Sequence, residues 1–128
     1  MPSSPDRGDA ASAPVPQVRR WRSRRVVVAD ESMVPTLQPG DRLLVDVTSY
    51  RHRPPSVGEI VVLVDPEVPE RWLVKRVAAV DLARGTVDVR GDAVDRARDS
   101  RWFGPVPLRS ILGRAYRLYF PAERRREL

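Results

Sequence analysis

Cysteine is absent from this chain, which excludes a disulfide framework, a thiolate zinc site and a cysteine nucleophile. Histidine occurs once, as His52, so there is no imidazole cluster to hold a metal, and neither a metal nor another cofactor is expected. No apolar run approaches the roughly 18 residues of a membrane-crossing helix, so no integral membrane segment is expected. The opening "MPSSPDRGDAASAPVPQ" lacks the apolar core of a secretory signal. These absences lead to the expectation of a soluble, cytoplasmic protein. Aromatic residues make up only 6% of the chain, which points to a modest core. Lysine is nearly absent as well: Lys75 is the only one among 23 basic residues.

What is present fits one domain of 128 residues with 13 prolines. Residues 1–24, rich in Pro, Ser, Ala and Arg, read as a disordered arm. Residues 25–121 read as the folded domain and residues 122–128 as a basic tail. The net charge of +6 is concentrated in "RRWRSRR" and "ERRRE". Such runs attract nucleic acid or acidic membrane in some proteins, but solvated tails are the plainer account. No interleaving of basic and aromatic residues suggests base stacking, so no nucleic-acid partner is expected. Between the ends lie short Val-rich runs at 25–30, 42–47, 59–65, 71–81, 86–91 and 111–120, separated by turn residues. "QPGD" suits a type II turn, and "DLARGT" suits a hairpin connection. No segment has a sustained 3.6-residue apolar period. The expected fold is all-β, a small barrel or paired sheets.

Lys75 is the most informative residue. It lies in "WLVKRV", within an apolar strand. Arginine does not give up its proton in a protein, whereas a desolvated lysine does. Burial lowers the pKa of an amine, and a neutral amine is a general base able to deprotonate a serine hydroxyl. The plainer alternative is an edge-strand lysine whose head reaches solvent. Ser32, in "ADESMVPTLQPGD", is the matching nucleophile, exposed at a Pro-restricted turn where backbone N–H groups can face an oxyanion. Its plainer alternative is a capping serine. His52 sits in a Pro-rich loop with no evident carboxylate partner. Asp92, Asp95 and Asp99 are a candidate acid/base set, but the interleaved Arg96, Arg98 and Arg101 make ion pairing the simpler account.

Together these pieces resemble the signal peptidase I family of Ser/Lys peptidases. "SMVPTLQPGD" resembles its nucleophile segment, "VKRVAAV" its Lys-Arg segment, and "GDAVDRARDSRWFGPV" its last box. The resemblance implies Ser32 as nucleophile, Lys75 as general base and the Ser32 backbone N–H as an oxyanion donor. Met33, Pro35, Gly91, Asp92, Asp99 and Arg101 would support the site, the last two as an ion pair bracing neighbouring strands. The implied fold is two antiparallel sheets packed around a small core with the site between them, and the substrate would lie extended against a sheet edge. Three positions depart from the family pattern: Asp30, where Ser or Gly is frequent and a Ser can donate to the oxyanion; Ala93, for Asn; and Ala97, for a Ser that orients the lysine.

Without a membrane anchor, the chain most resembles the nickel-type superoxide dismutase maturation proteases, which implies a dismutase precursor as the protein partner and leader removal as the reaction. Any nickel would belong to that substrate. Two competing readings are a self-cleaving repressor-type peptidase and a degenerate peptidase domain kept as a binding module.

Overall fold

The computed structural model describes residues 22–128, so most of the expected arm lies outside the described residues. Eight strands account for the regular structure: β1 (Ser23–Val27), β2 (Arg42–Asp46), β3 (Ile60–Val64), β4 (Trp72–Asp81), β5 (Thr86–Arg90), β6 (Val106–Pro107), β7 (Ile111–Phe120) and β8 (Arg126–Glu127). One turn of helix, α1 (Ser100–Phe103), sits between β5 and β6. The all-β expectation is borne out, and all six Val-rich runs are strands. The strands form one curled antiparallel sheet of order β1-β2-β7-β3-β4-β5-β6, with β8 added to β7.

This chain makes strands because Val-rich runs of five to ten residues alternate in burial between tight turns. The "QPGD" turn holds Gly40 at φ 92°, a left-handed conformation that glycine adopts without strain. Asp41 N–H donates to the Gln38 carbonyl at 3.0 Å across that turn. Strand β3 is central, and its two faces supply two cores. Ile60 and Val62 join Val26, Val28, Met33, Leu37, Leu43, Val45, Ala115 and Leu118 in a first cluster. Val61 and Leu63 join Leu73, Val77, Val87, Val89 and Val106 in a second.

Both ends of the described chain are more engaged than their composition suggests. Strand β1 begins at Ser23, inside the segment read as arm, where the Ser23 hydroxyl meets the Tyr116 hydroxyl at 2.6 Å. Within 122–128, read as a tail, Arg124 donates to both oxygens of buried Asp41 at 3.1 and 2.8 Å. Strand β8 pairs with β7, and Leu128 N–H donates to the Tyr116 carbonyl at 3.0 Å. The basic run ends as a strand because Arg124 and Arg126 have acceptors on the turn carrying Ser32, the latter the Thr36 carbonyl.

Candidate active site

Ser32 lies where the chain leaves the β1 direction and turns toward β2. Met33, next to it, is 1% exposed and inserts into the first core cluster, so the turn is anchored by its apolar neighbour. The turn closes through Leu37 N–H to the Met33 carbonyl at 3.0 Å and Val34 N–H to the Glu31 carbonyl at 3.3 Å. Pro35 is exposed on the outer side of the same turn. Ser32 is itself 3% exposed.

The Ser32 backbone is held from both directions. Its carbonyl accepts from Ala93 N–H at 2.9 Å. Gly91 lies against that carbonyl so closely that a Cβ there would stand 2.5 Å from the Ser32 oxygen and 2.5 Å from the Ala97 Cβ. The glycine is thus required by close approach, and Ala97 is one wall of the contact. The Ser32 N–H donates to Asp30 Oδ1 at 3.0 Å.

Lys75 is placed by strand alternation. Leu73, Lys75 and Val77 share the inward face of β4, and Val74 and Arg76 turn away. Lys75 pairs in register with Val61 of β3. At 1% exposed it is among the largest fully buried side chains. Burial pushes its amine below the ordinary lysine range. The carboxylates of Asp30, Asp99 and Asp65 draw it part of the way back, and the Arg98 guanidinium adds to the depression. The edge-strand alternative, with the amine in solvent, is excluded by this burial. The Ser32 hydroxyl and the Lys75 amine are not hydrogen-bonded to each other in this resting arrangement. Asp30 is common to both, as acceptor for the Ser32 N–H and as the strongest charge acting on the amine.

Two carboxylates brace this centre. Asp92 accepts from Thr36 Oγ1 at 2.6 Å, Arg76 Nε at 2.9 Å and Arg76 Nη2 at 2.8 Å. It therefore ties the nucleophile turn to the residue after Lys75, and the Arg76 guanidinium holds its carboxyl below the usual range. Asp99 is fully buried and accepts from Gly91 N–H at 2.8 Å, from Arg101 N–H at 3.0 Å and from the Arg101 guanidinium at 2.5 Å. Burial alone would raise the Asp99 carboxyl, but these donors outweigh it and hold it at about 2. Ser100 Oγ accepts from Val89 N–H at 2.9 Å, which pins α1 to β5.

The other candidates lie apart. Asp95 is exposed in a 3-10 turn, and Asp92 and Asp99 are each committed to an arginine, so the three do not form an acid/base set. Nor do the interleaved arginines pair only locally. Arg98 binds Asp65 and Glu67, and Arg96 approaches Glu31 at 3.6 Å. His52 is exposed in the β2–β3 connection and does not line the groove at Ser32. Thr36 and Arg76 are supporting residues that sequence reasoning did not single out. Their only signal was membership of "PTL" and "KR" beside the two reactive residues.

A groove of about 400 Å³ runs past Ser32, lined by residues 25–30, 32, 33 and 70–74. Its walls are two open strand edges. Strand β1 pairs with β2 alone. On β4, residues 72–75 pair with β3 on one side, and β5 begins its pairing on the other only at Arg76. Unpaired backbone N–H and C=O groups on both walls suit an extended peptide. Among the described residues no group of His, Asp or Glu side chains is arranged to hold a metal ion.

The groove thus brings together the residues of a signal peptidase-like site: Ser32 on its turn and the strand that carries the buried Lys75 amine. Comparison with known proteins agrees. Residues 15–81 match the family model described as signal peptidase, peptidase S26, which spans both Ser32 and Lys75. The chain is 39% identical over 104 residues to the mitochondrial ATP-independent inner membrane protease subunit 1b of Arabidopsis thaliana, covering 65% of this chain and 62% of that protein. It is 30% identical over 139 residues to the probable signal peptidase I-1 of Synechocystis, covering 76% and 71%. It is 27% identical over 139 residues to the chloroplastic thylakoidal processing peptidase 1 of Arabidopsis thaliana, covering 73% and 41%. The chain belongs to the signal peptidase family, peptidase S26.

These relatives overturn the cytoplasmic expectation, because they are named for the mitochondrial inner membrane and the thylakoid. That expectation rested on the lack of a long apolar run, and an apolar run reports only a spanning helix. Among the described residues no helix is long and apolar enough to cross a membrane.

Proposed function

We propose that this chain is a serine endopeptidase that removes a leader peptide from a protein precursor, with Ser32 as nucleophile and Lys75 as general base. The observation that carries this reading is the fully buried Lys75, the chain's only lysine, on the strand that also walls the groove at Ser32. The precursor lies extended between the β1 and β4 edges. The neutral Lys75 amine takes the Ser32 hydroxyl proton as the oxygen attacks the scissile carbonyl. The Ser32 N–H faces the oxygen that becomes negative. Lys75 then gives its proton to the leaving amine, and water attacks the acyl-enzyme by the same route in reverse. Asp92 and Asp99 touch no reacting atom in this scheme. They position the turn and the strands, with Met33, Pro35, Gly91 and Arg101.

Within this reading, the substrate is the nickel-type superoxide dismutase precursor. The support is the resemblance of "ADESMVPTLQPGDRLLVD" and "DSRWFGPVP" to that group's segments. The relatives' names favour a second substrate class, precursors processed at a membrane. Purified protein should be incubated with the dismutase precursor and, separately, with a precursor bearing a signal peptide, and the products read by intact mass. Leader loss from the first alone supports the dismutase. Cleavage of the second alone transfers the proposal to exported proteins. Cleavage by Ser32→Ala or Lys75→Ala at the wild-type rate would sink the dyad.

A further inference from the structure

We propose that Asp30 is a resting-state occupant of the oxyanion site, its carboxylate holding the Ser32 N–H until an incoming peptide carbonyl displaces it. This inference rests on the Ser/Lys reading above. The geometry is direct. Asp30 Oδ1 accepts from the Ser32 N–H at 3.0 Å. Ser32 is buried, whereas Asp30 is exposed to solvent on the groove wall.

The Ser32 N–H is the donor that the attacking serine offers to its own tetrahedral adduct, so it cannot serve the substrate oxygen while it serves Asp30. An ionised carboxylate at that point also repels the charge the oxygen acquires. The side chain must therefore leave before or during attack. Its departure costs a charge-assisted hydrogen bond in every turnover.

Asp30 also acts on the base. The charged groups that face the Lys75 amine are Asp30 from the turn after β1, Asp65 from the end of β3, and Arg98 and Asp99 from the segment before α1. Asp65 is bound to Arg98, and Asp99 is bound to Arg101. Asp30 has no cation within ion-pair distance among the described residues, so its charge acts on the amine unneutralised. Its presence favours the ammonium, the form of Lys75 that cannot take a proton. The same carboxylate thus restrains both halves of the dyad: turning away lifts both restraints, and removing its charge lifts the one on the amine and weakens the hold on the Ser32 N–H.

The plainer account is that Asp30 only shapes the turn, since an Asp accepting from the N–H two residues on is a common local turn. Asp30→Asn separates the two, because the amide oxygen keeps the turn bond while the charge goes. Asp30→Ser keeps a short acceptor and adds a hydroxyl. Both variants should raise kcat/KM at neutral pH by about tenfold with whichever precursor the wild type cleaves. The rising limb of the pH–rate profile should move to lower pH. The single lysine allows a reading without substrate, as the 13Cε resonance of Lys75 followed against pH. Its midpoint should fall in Asp30→Asn. Rates and limb unchanged in Asp30→Asn would overturn the proposal and leave Asp30 a turn residue. If no precursor is cleaved even by the wild type, the functional reading fails separately. The Lys75 midpoint then decides: a fall supports Asp30 as the restraining charge, and no change overturns it.

Discussion

The two halves of the site are held by opposite means. The nucleophile turn is held by polar contacts: Asp30 and Ala93 on the Ser32 backbone, Asp92 on Thr36, and Arg124 on Asp41. The base strand is held by burial: Leu73 and Val77 share the inward face with Lys75, Val61 pairs with it, and Lys75 is itself 1% exposed. The difference follows from the chemistry each half must do. A nucleophile needs a fixed direction, which short bonds to the backbone supply. A lysine base needs its proton to be unwelcome, which burial supplies here against the pull of Asp30, Asp99 and Asp65. The orienting serine replaced here by Ala97 is therefore dispensable if packing alone fixes the amine.

The largest test of that contrast is Lys75→Met, which keeps the volume and removes the amine. Cleavage should fall by about 10⁴-fold or more, as for loss of one member of a catalytic dyad or triad. Stability should rise, because a desolvated amine leaves the core, by roughly 1 kcal/mol or more and a few degrees in Tm. The linkage has a definite sign. With its folded pKa depressed, Lys75 is neutral in the fold and protonated in the unfolded chain between that pKa and the ordinary lysine value. Wild-type stability should therefore increase with pH across that window, and the slope should be absent in Lys75→Met. For the same reason, wild-type activity should rise with pH through the depressed pKa. Calorimetry and a pH–rate series on both proteins check these outcomes.

Gly91→Ala attacks the nucleophile half. The new methyl meets the Ser32 carbonyl and the Ala97 Cβ, both at 2.5 Å, and one of them is backbone. A stability loss of about 1–3 kcal/mol is expected, with a fall in kcat larger than the change in KM, because the turn is displaced rather than the groove. Asp99→Asn is next. The wild-type carboxyl is held at about 2, well below the ordinary carboxylate range, so its stabilisation is complete above that range and is lost as pH falls toward 2. The variant should lack this acid-limb dependence in a Tm series between about pH 4 and pH 2. Smallest of all is Arg96→Ala. Its pair with Glu31 is exposed at 53% and 62%, and a stability change beyond about 0.5 kcal/mol would mean that the nucleophile turn depends on surface charge after all.

The strands, the dyad candidates and the family were legible in the sequence because each leaves a local mark. Val-rich alternation marks β2 to β5 and β7, and the lone lysine marks itself against a background of arginine. Strands β6 and β8, at two residues each, carry no period to detect. The Asp41–Arg124 and Thr36–Asp92 bonds join residues 83 and 56 positions apart, and one chain gives no way to pair such partners in advance. Asp30 was visible as an odd residue for an oxyanion site. That its carboxylate accepts the very N–H at issue needed the turn's geometry. Location was misjudged because it was inferred from hydropathy alone.

The solitary lysine has a practical side. With Lys75 fully buried and every other basic side chain an arginine, the folded surface presents no lysine to acylating reagents or to enzymes that modify lysine amines. Side-chain labelling by an amine-selective reagent then has a single address, reached only when β4 opens. The proposed base doubles as a built-in tracer of how often the molecule breathes.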